Sequence, residues 1–213
     1  MSAKGDRNSL CDGAYELRKL DEDRDCEFLE RFDCGNEDLN EYFQHDALLS
    51  RNELIGQICC LVYKATADLE IPVALIDFSN DSVRKKSSNR TPGYQDIPEF
   101  DLDNNKRYPT LPGVKITRLG VLNEFRGRNV GTQLINMVKQ FFVSENRTGC
   151  RFLTVDAYND PDVLSFYEKN NFSFFYDKDS GNKTRSMYFD LKRFSIAEAC
   201  SGGSQDLEVA IER

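Results

Sequence analysis

Lys115-Ile-Thr-Arg-Leu-Gly-Val-Leu-Asn-Glu-Phe-Arg-Gly-Arg-Asn-Val-Gly131 runs straight into the helical pattern Thr132 to Val143 and is the most informative stretch of the chain. Its first part is apolar and β-branched, which predicts a strand over Val114 to Val121. The strand ends at a short turn rich in Arg, Gly and Asn. A helix follows, with Val130, Leu134, Ile135, Val138, Phe141 and Phe142 on one face, so that face is expected to anchor it on a sheet. A strand–turn–helix of this kind aims several backbone N–H groups at one spot at the helix N-terminus, where an anion, most often a phosphate, is held. Gly127 and Gly131 lack a Cβ and are read as allowing positive φ and a close approach to a diphosphate. Asn129 is among the few other residues that tolerate the left-handed region.

Further along, Phe152 to Val155 reads as a short buried strand. It is followed by Asn159-Asp-Pro-Asp-Val-Leu-Ser-Phe-Tyr-Glu-Lys-Asn-Asn-Phe172. Asp160 is placed to cap a helix with Pro161 at its first position and Asn171 as the left-handed residue that ends it. The loop Arg126 to Gly131, Arg-x-x-Asn-x-Gly, resembles the Arg/Gln-x-x-Gly-x-Gly/Ala loop of GNAT acyltransferases. The segment Asn159 to Phe172 resembles the second signature of that family, with Asn171 in place of its usual Gly. The two occur in the family's order, one helix and one strand apart.

The resemblance implies an α/β (α+β) fold of GNAT type: a mixed central β-sheet, splayed at the cofactor site and flanked by helices. It also implies acetyl-CoA as cosubstrate. Leu119, Gly120 and Val121, then Arg126, Gly127, Arg128, Asn129, Val130, Gly131 and Thr132, would form its cradle, with Asp160 at the head of the next helix. Backbone N–H groups around Gly120 and Val121 would hold the acetyl carbonyl and its oxyanion, and Arg126 and Arg128 would add charge against phosphate. Tyr167 matches the family's tyrosine at the cofactor sulfur and is assigned as general acid toward the departing thiolate. Arg118 would point into the acceptor cleft, and Glu124 flanks the loop as a candidate base. No other base is evident, because Lys115 and Thr117 stand where some GNAT enzymes carry Glu.

The opening phrase Phe32-Asp-Cys-Gly-Asn-Glu-Asp-Leu-Asn-Glu-Tyr-Phe43 and the strand Thr117-Arg-Leu-Gly-Val121 are similar to those of one GNAT branch. That branch contains toxins of bacterial toxin–antitoxin pairs, which acetylate the α-amine of an amino acid carried by tRNA. The likeness, over about residues 14–192, makes tRNA a candidate acceptor and an antitoxin and a homodimer candidate assemblies. Protein amines and small amines remain open as acceptors, and a non-catalytic acetyl-CoA sensor is the competing class.

Composition bounds these readings. A chain of 213 residues, 39% hydrophobic and 30% charged, suits one well-buried domain. The expected division is a flexible 1–13, a domain over 14–192, and a tail over 193–213. Seven cysteines lack C-x-x-C spacing and read as reduced thiols, with Cys59 and Cys60 on opposite faces of a strand. His45 has no partner at ligand spacing, so no metal is expected. With no apolar leader or spanning run, a cytoplasmic protein outside the membrane is expected. The net charge of −8 is uneven: residues 1–60 carry 7 Lys/Arg against 15 Asp/Glu, and residues 84–128 carry 10 against 5. A basic centre in an acidic chain points to an anionic partner.

The expected element order is β-α-β-β-β-α-β-α-β-β. It has a strand at Tyr15–Lys19, a helix over Glu37–Arg51, strands at Ile58–Lys64 and Ile71–Phe78 turning at Ala67-Asp68, and a patternless segment at Ser79–Pro112. The last two strands are expected near Phe172–Tyr176 and Thr184–Leu191, joined at Ser180-Gly181-Asn182.

Overall fold

The computed structural model describes residues 14–66, 69–84, 110–144, 148–177 and 179–194. The turn expected at Ala67-Asp68, the stretch 1–13 expected to be flexible, and nearly all of the tail lie outside these residues. The elements, in chain order, are β1 (Ala14–Lys19), α1 (Glu22–Glu30), α2 (Glu37–Glu41), α3 (Ala47–Asn52), β2 (Gln57–Thr66), β3 (Leu69–Arg84), β4 (Thr110–Val121), α4 (Val130–Ser144), β5 (Phe152–Tyr158), α5 (Pro161–Lys169), β6 (Ser173–Phe174) and β7 (Thr184–Asp190). One seven-stranded sheet holds them in the order β1-β2-β3-β4-β5-β7-β6. Only β4 and β5 run parallel; every other pair is antiparallel.

Three expectations are corrected. The segment Ser79–Pro112 is not patternless throughout, because β3 continues to Arg84 and β4 starts at Thr110, with Arg84 opposite Thr110. Its polar alternation over Ser79 to Ser82 belongs to a strand with one wet face. The helix expected over Glu37–Arg51 is interrupted by a π-helical turn at Tyr42–Asp46 between α2 and α3, a feature with no sequence periodicity of its own. Helix α1 was not expected at all.

Helix α1 shows why. Asp21 caps it by accepting from the Arg24 N–H, and its buried residues are Leu29 and an aspartate, Asp25. Arg18 of β1 donates to both Asp25 oxygens at 2.7 Å, and the Asp21 N–H adds a third bond. The pair holds the Asp25 carboxyl below its ordinary pKa against the opposing pull of burial, which is the largest single influence on it. A buried position satisfied by an ion pair from another element does not register as an apolar stripe.

The two faces of the sheet carry separate cores. On one face, α4 and α5 pack Val130, Leu134, Ile135, Val138 and Tyr167 on Ile76, Ile116, Leu153 and Val155. On the other, α1 to α3 pack Leu29, Phe32, Phe43 and Ala47 on Ile58, Cys60, Val62 and Leu75. Cys59 and Cys60 fall on opposite cores, as the alternation of a strand requires. Phe32 reaches β4 because residue 120 is glycine: a Cβ there would stand 2.8 Å from the Phe32 ring.

Helices α4 and α5 are tied by a buried lysine that sequence reading missed. Lys139 is 2% exposed; its Nζ donates to the Asn170 carbonyl at 2.8 Å and lies 4.0 Å from the centre of the Phe189 ring. Burial pushes its pKa down to about 8 from an ordinary 10.5. Between those two values the unfolded chain binds more protons at this site, so its contribution to stability rises as pH climbs through them. Compared with Lys139→Met, the wild type should gain on the order of 1–3 kcal/mol between pH 8 and 10.5. Paired urea titrations check this, and a pH-independent difference would refute it.

Candidate active site

The sheet opens where β4 and β5 part. Their parallel pairing runs from Gly113↔Phe152 to Ile116↔Val155 and stops there, although β4 continues to Val121 and β5 to Tyr158. The divergence coincides with a bulge in β4, where Thr117 is extra between the pairs Phe78↔Ile116 and Asp77↔Arg118. Beyond it, β4 remains paired to β3 alone.

Register then decides which amides are free. The Leu122 N–H bonds the Val73 carbonyl and Gly120 stands opposite Leu75, so both groups of Gly120 belong to the β3 ladder and those of Leu119 and Val121 face the gap toward β5. Of the amides expected around Gly120 and Val121 to hold the acetyl carbonyl, this alternation gives that of Gly120 to the ladder. Leu119 and Val121 are the donors turned into the opening.

The turn that follows behaves largely as its residue types predict. Gly127 has φ +72° and open space where a Cβ would stand, and Asn129 has φ +64°. The first bond back from α4 runs from the Gln133 N–H to the Asn129 carbonyl, so the amides of Val130, Gly131 and Thr132 precede the helical ladder. Gly131, however, is not at positive φ. It sits in the first turn of α4, where a Cβ would come within 3.0 Å of the Phe166 ring of α5; glycine there permits helix packing rather than a turn. Val130 is buried in the core, and the Thr132 hydroxyl accepts from the Asn170 side chain at 3.4 Å.

The arginines divide. Arg126 donates to the Cys34 carbonyl at 3.4 Å, which holds its head at the α1–α2 connection. Arg128 is exposed and stacks on the Phe125 ring at 5.6 Å. Arg118 lies over the Tyr42 ring at 4.8 Å and donates to the Thr117 carbonyl at 2.9 Å. Its Nε is buried without a partner, and no carboxylate among the described residues lies within ion-pair distance of it. It bears on Tyr42 and on Tyr158 at the end of β5, across the mouth of the gap. Glu124 is not gathered with it. That residue lines a separate cavity of about 540 Å³ beside α1, with Arg18, Phe28 and Arg31.

Tyr167 is 6% exposed, with its ring 5.1 Å from that of Phe166 and 5.3 Å from that of Phe172. Burial raises its pKa above the ordinary phenol value. Asp160 accepts from the Asp162 and Val163 N–H groups, so its carboxylate serves the start of α5. Asn171 takes φ +63° at the other end. No group of three or more potential metal ligands is gathered among the described residues, and no helix among them is long and apolar enough to cross a membrane.

Residues 95–172 match the model of the Acetyltransferase (GNAT) family. No curated protein matches the chain. Among solved structures, AtaTR bound with acetyl-CoA aligns over 87% of this chain and 98% of its own, at 18% identity and TM-score 0.65. AtaT complexed with acetyl-methionyl-tRNAfMet aligns over 86% and 99%, at 18% identity and TM-score 0.63. A variant of the AtaT toxin bound to the C-terminus of the antitoxin AtaR and acetyl-CoA aligns over 86% and 98%, at 17% identity and TM-score 0.63. The splayed β4–β5 pair and the amides ahead of the following helix lie within the stretch that matches the Acetyltransferase (GNAT) family model, and these solved structures share the chain's fold.

Proposed function

We propose that this protein transfers the acetyl group of acetyl-CoA to a primary amine by direct attack within a ternary complex, and that the amine is the α-amine of an amino acid esterified to tRNA. The observation that carries the transfer is the gap between β4 and β5, with the Leu119 and Val121 amides turned into it and the first turn of α4 at its mouth. The pyrophosphate would sit on the Val130 to Thr132 amides. The pantetheine arm would follow the gap, and the acetyl oxygen would accept from Leu119 or Val121. The protein contributes position and electrostatics; coenzyme A contributes the activated acyl group.

The acceptor is argued from charge. Arg118 has no carboxylate to satisfy it, and Arg128 is exposed beside the loop. Lys115 is neutralised by Asp156, and the collar residues Lys85, Lys86, Arg90, Lys106 and Arg107 lie outside the described residues. Unpaired cations at the mouth of the cleft suit phosphate contacts. The structural likeness to AtaT with acetylated methionyl-tRNA supports the same choice, and that to AtaT with AtaR supports an antitoxin-type partner for this chain.

Labelled acetyl-CoA incubated with the protein and a pool of charged tRNA tests this. Label should enter the aminoacyl-tRNA pool, and the rate should fall steeply as salt rises. No label for any amino acid at low salt would refute tRNA as acceptor. Label in peptide or small amines instead would redirect the assignment.

A further inference from the structure

Glu124, the one candidate base the sequence offers, lines the separate cavity beside α1, and the structure places another carboxylate beside the opening of the sheet. Asp77 of β3 stands opposite Arg118 at the β4 bulge, where the sheet begins to splay. Its side chain is 2% exposed. The Thr117 hydroxyl donates to Asp77 Oδ2, and the Tyr42 hydroxyl donates to the same oxygen at 2.8 Å. Oδ1 is buried with no hydrogen-bond partner. A Cβ at residue 56 would lie 2.5 Å from Oδ1, so glycine there is what leaves room beside that oxygen.

A half-satisfied buried carboxylate is costly to keep. Nothing in the apolar packing calls for it, since the neighbouring positions on this face, Leu75 and Ile58, the latter directly opposite on β2, are apolar and fully buried. Burial and the Asp77 bond push the Tyr42 phenol up to about 12, with burial the larger cause, so Tyr42 stays a neutral donor. Thr117 is different. Its side chain is half-buried, and a hydroxyl that spends its proton on Asp77 keeps lone pairs to accept another. Because β4 bulges at this residue, Thr117 and Arg118 both turn toward the face covered by α1 to α3, one onto Asp77 and the other onto Tyr42.

We propose that Asp77 and Thr117 form the proton acceptor for the attacking amine, with the Thr117 hydroxyl as the group that meets substrate and Asp77 as the positioning residue behind it. The inference rests on the acetyltransferase reading. As the N–C bond forms, the amine nitrogen gives its proton to the Thr117 oxygen while the Thr117 proton passes to Asp77. As the C–S bond breaks, Tyr167 protonates the thiolate. Asp77 then returns one proton to Tyr167 through water, so both side chains regain their starting states.

The test uses the full chain with acetyl-CoA and three amine probes: a charged-tRNA pool, an amino-acid ethyl ester and a peptide α-amine. Asp77→Asn preserves shape and removes the charge, and Thr117→Val removes the hydroxyl. Each should lower kcat/KM for whichever probe the wild type accepts by roughly tenfold to a thousandfold and flatten the acidic limb of its pH profile. Acetyl-CoA affinity and thermal midpoint should change little. Thr117→Ser should restore the rate and the limb. Folded variants with wild-type rates and an unchanged profile would overturn this proposal alone. A wild type that acetylates none of the three probes would overturn the acetyltransferase reading and this proposal together.

Discussion

Tyr167→Phe should bind acetyl-CoA as the wild type does and turn over roughly ten- to a thousandfold more slowly. The change removes one oxygen and leaves the contacts with the Phe166 and Phe172 rings in place, so lost turnover reports on the hydroxyl. Burial raises the phenol pKa, which by itself weakens it as an acid. The leaving thiolate emerges in the same dry surroundings, however, and desolvation raises the proton affinity of both partners together. The transfer therefore stays close to balanced. The raised pKa also fixes the sign of the pH dependence: the phenol keeps its proton throughout the working range, so no alkaline loss of rate should trace to Tyr167 below about pH 10. Stopped-flow thiol release compared with calorimetric binding separates the two effects. Equal rates for the two proteins would reduce Tyr167 to a packing residue.

The strand–turn–helix and the capped helix after it were legible in the sequence because their determinants are local. An amphipathic helix, a residue at Asn129 that tolerates positive φ, an N-cap at Asp160 and a left-handed stop at Asn171 each follow from residue type and spacing. What was not legible depends on partners distant in the chain. Asp25 is buried on Arg18, Lys139 on the carbonyl of Asn170, and Asp77 on Thr117, 40 residues away. A polar residue inside a core breaks the apolar pattern without announcing its partner, and α1 was missed for that reason. Which of the amides around Gly120 and Val121 is free was settled by register: alternation is a property of strand pairing, and the sequence alone does not say which of two neighbours faces the ladder. The role of Gly131 was misread for a related reason, since its reason for being glycine is Phe166, on another helix.

That misreading sharpens what Gly131→Glu should do. The Cβ would point toward Phe166, at 3.0 Å, and Val121, at 3.8 Å, so the side chain would extend across the mouth of the gap. A carboxylate in the first turn of a helix is favourable to the helix itself, by roughly 0.3–1 kcal/mol, which offsets part of the strain on Phe166 and allows the protein to fold. The same carboxylate would occupy the anion position at the Val130 to Thr132 amides and repel the pyrophosphate. Like charges about 4 Å apart near a protein surface cost up to about 4 kcal/mol, so acetyl-CoA affinity should fall roughly a hundred- to a thousandfold. Gly131→Ala is the control, because it carries the steric strain without the charge and should lose far less. Calorimetry on both variants decides the matter. Unchanged affinity in a folded Gly131→Glu protein would remove the α4 N-terminus as the pyrophosphate site, whereas a loss of equal size in Gly131→Ala would assign the effect to displacement of Phe166.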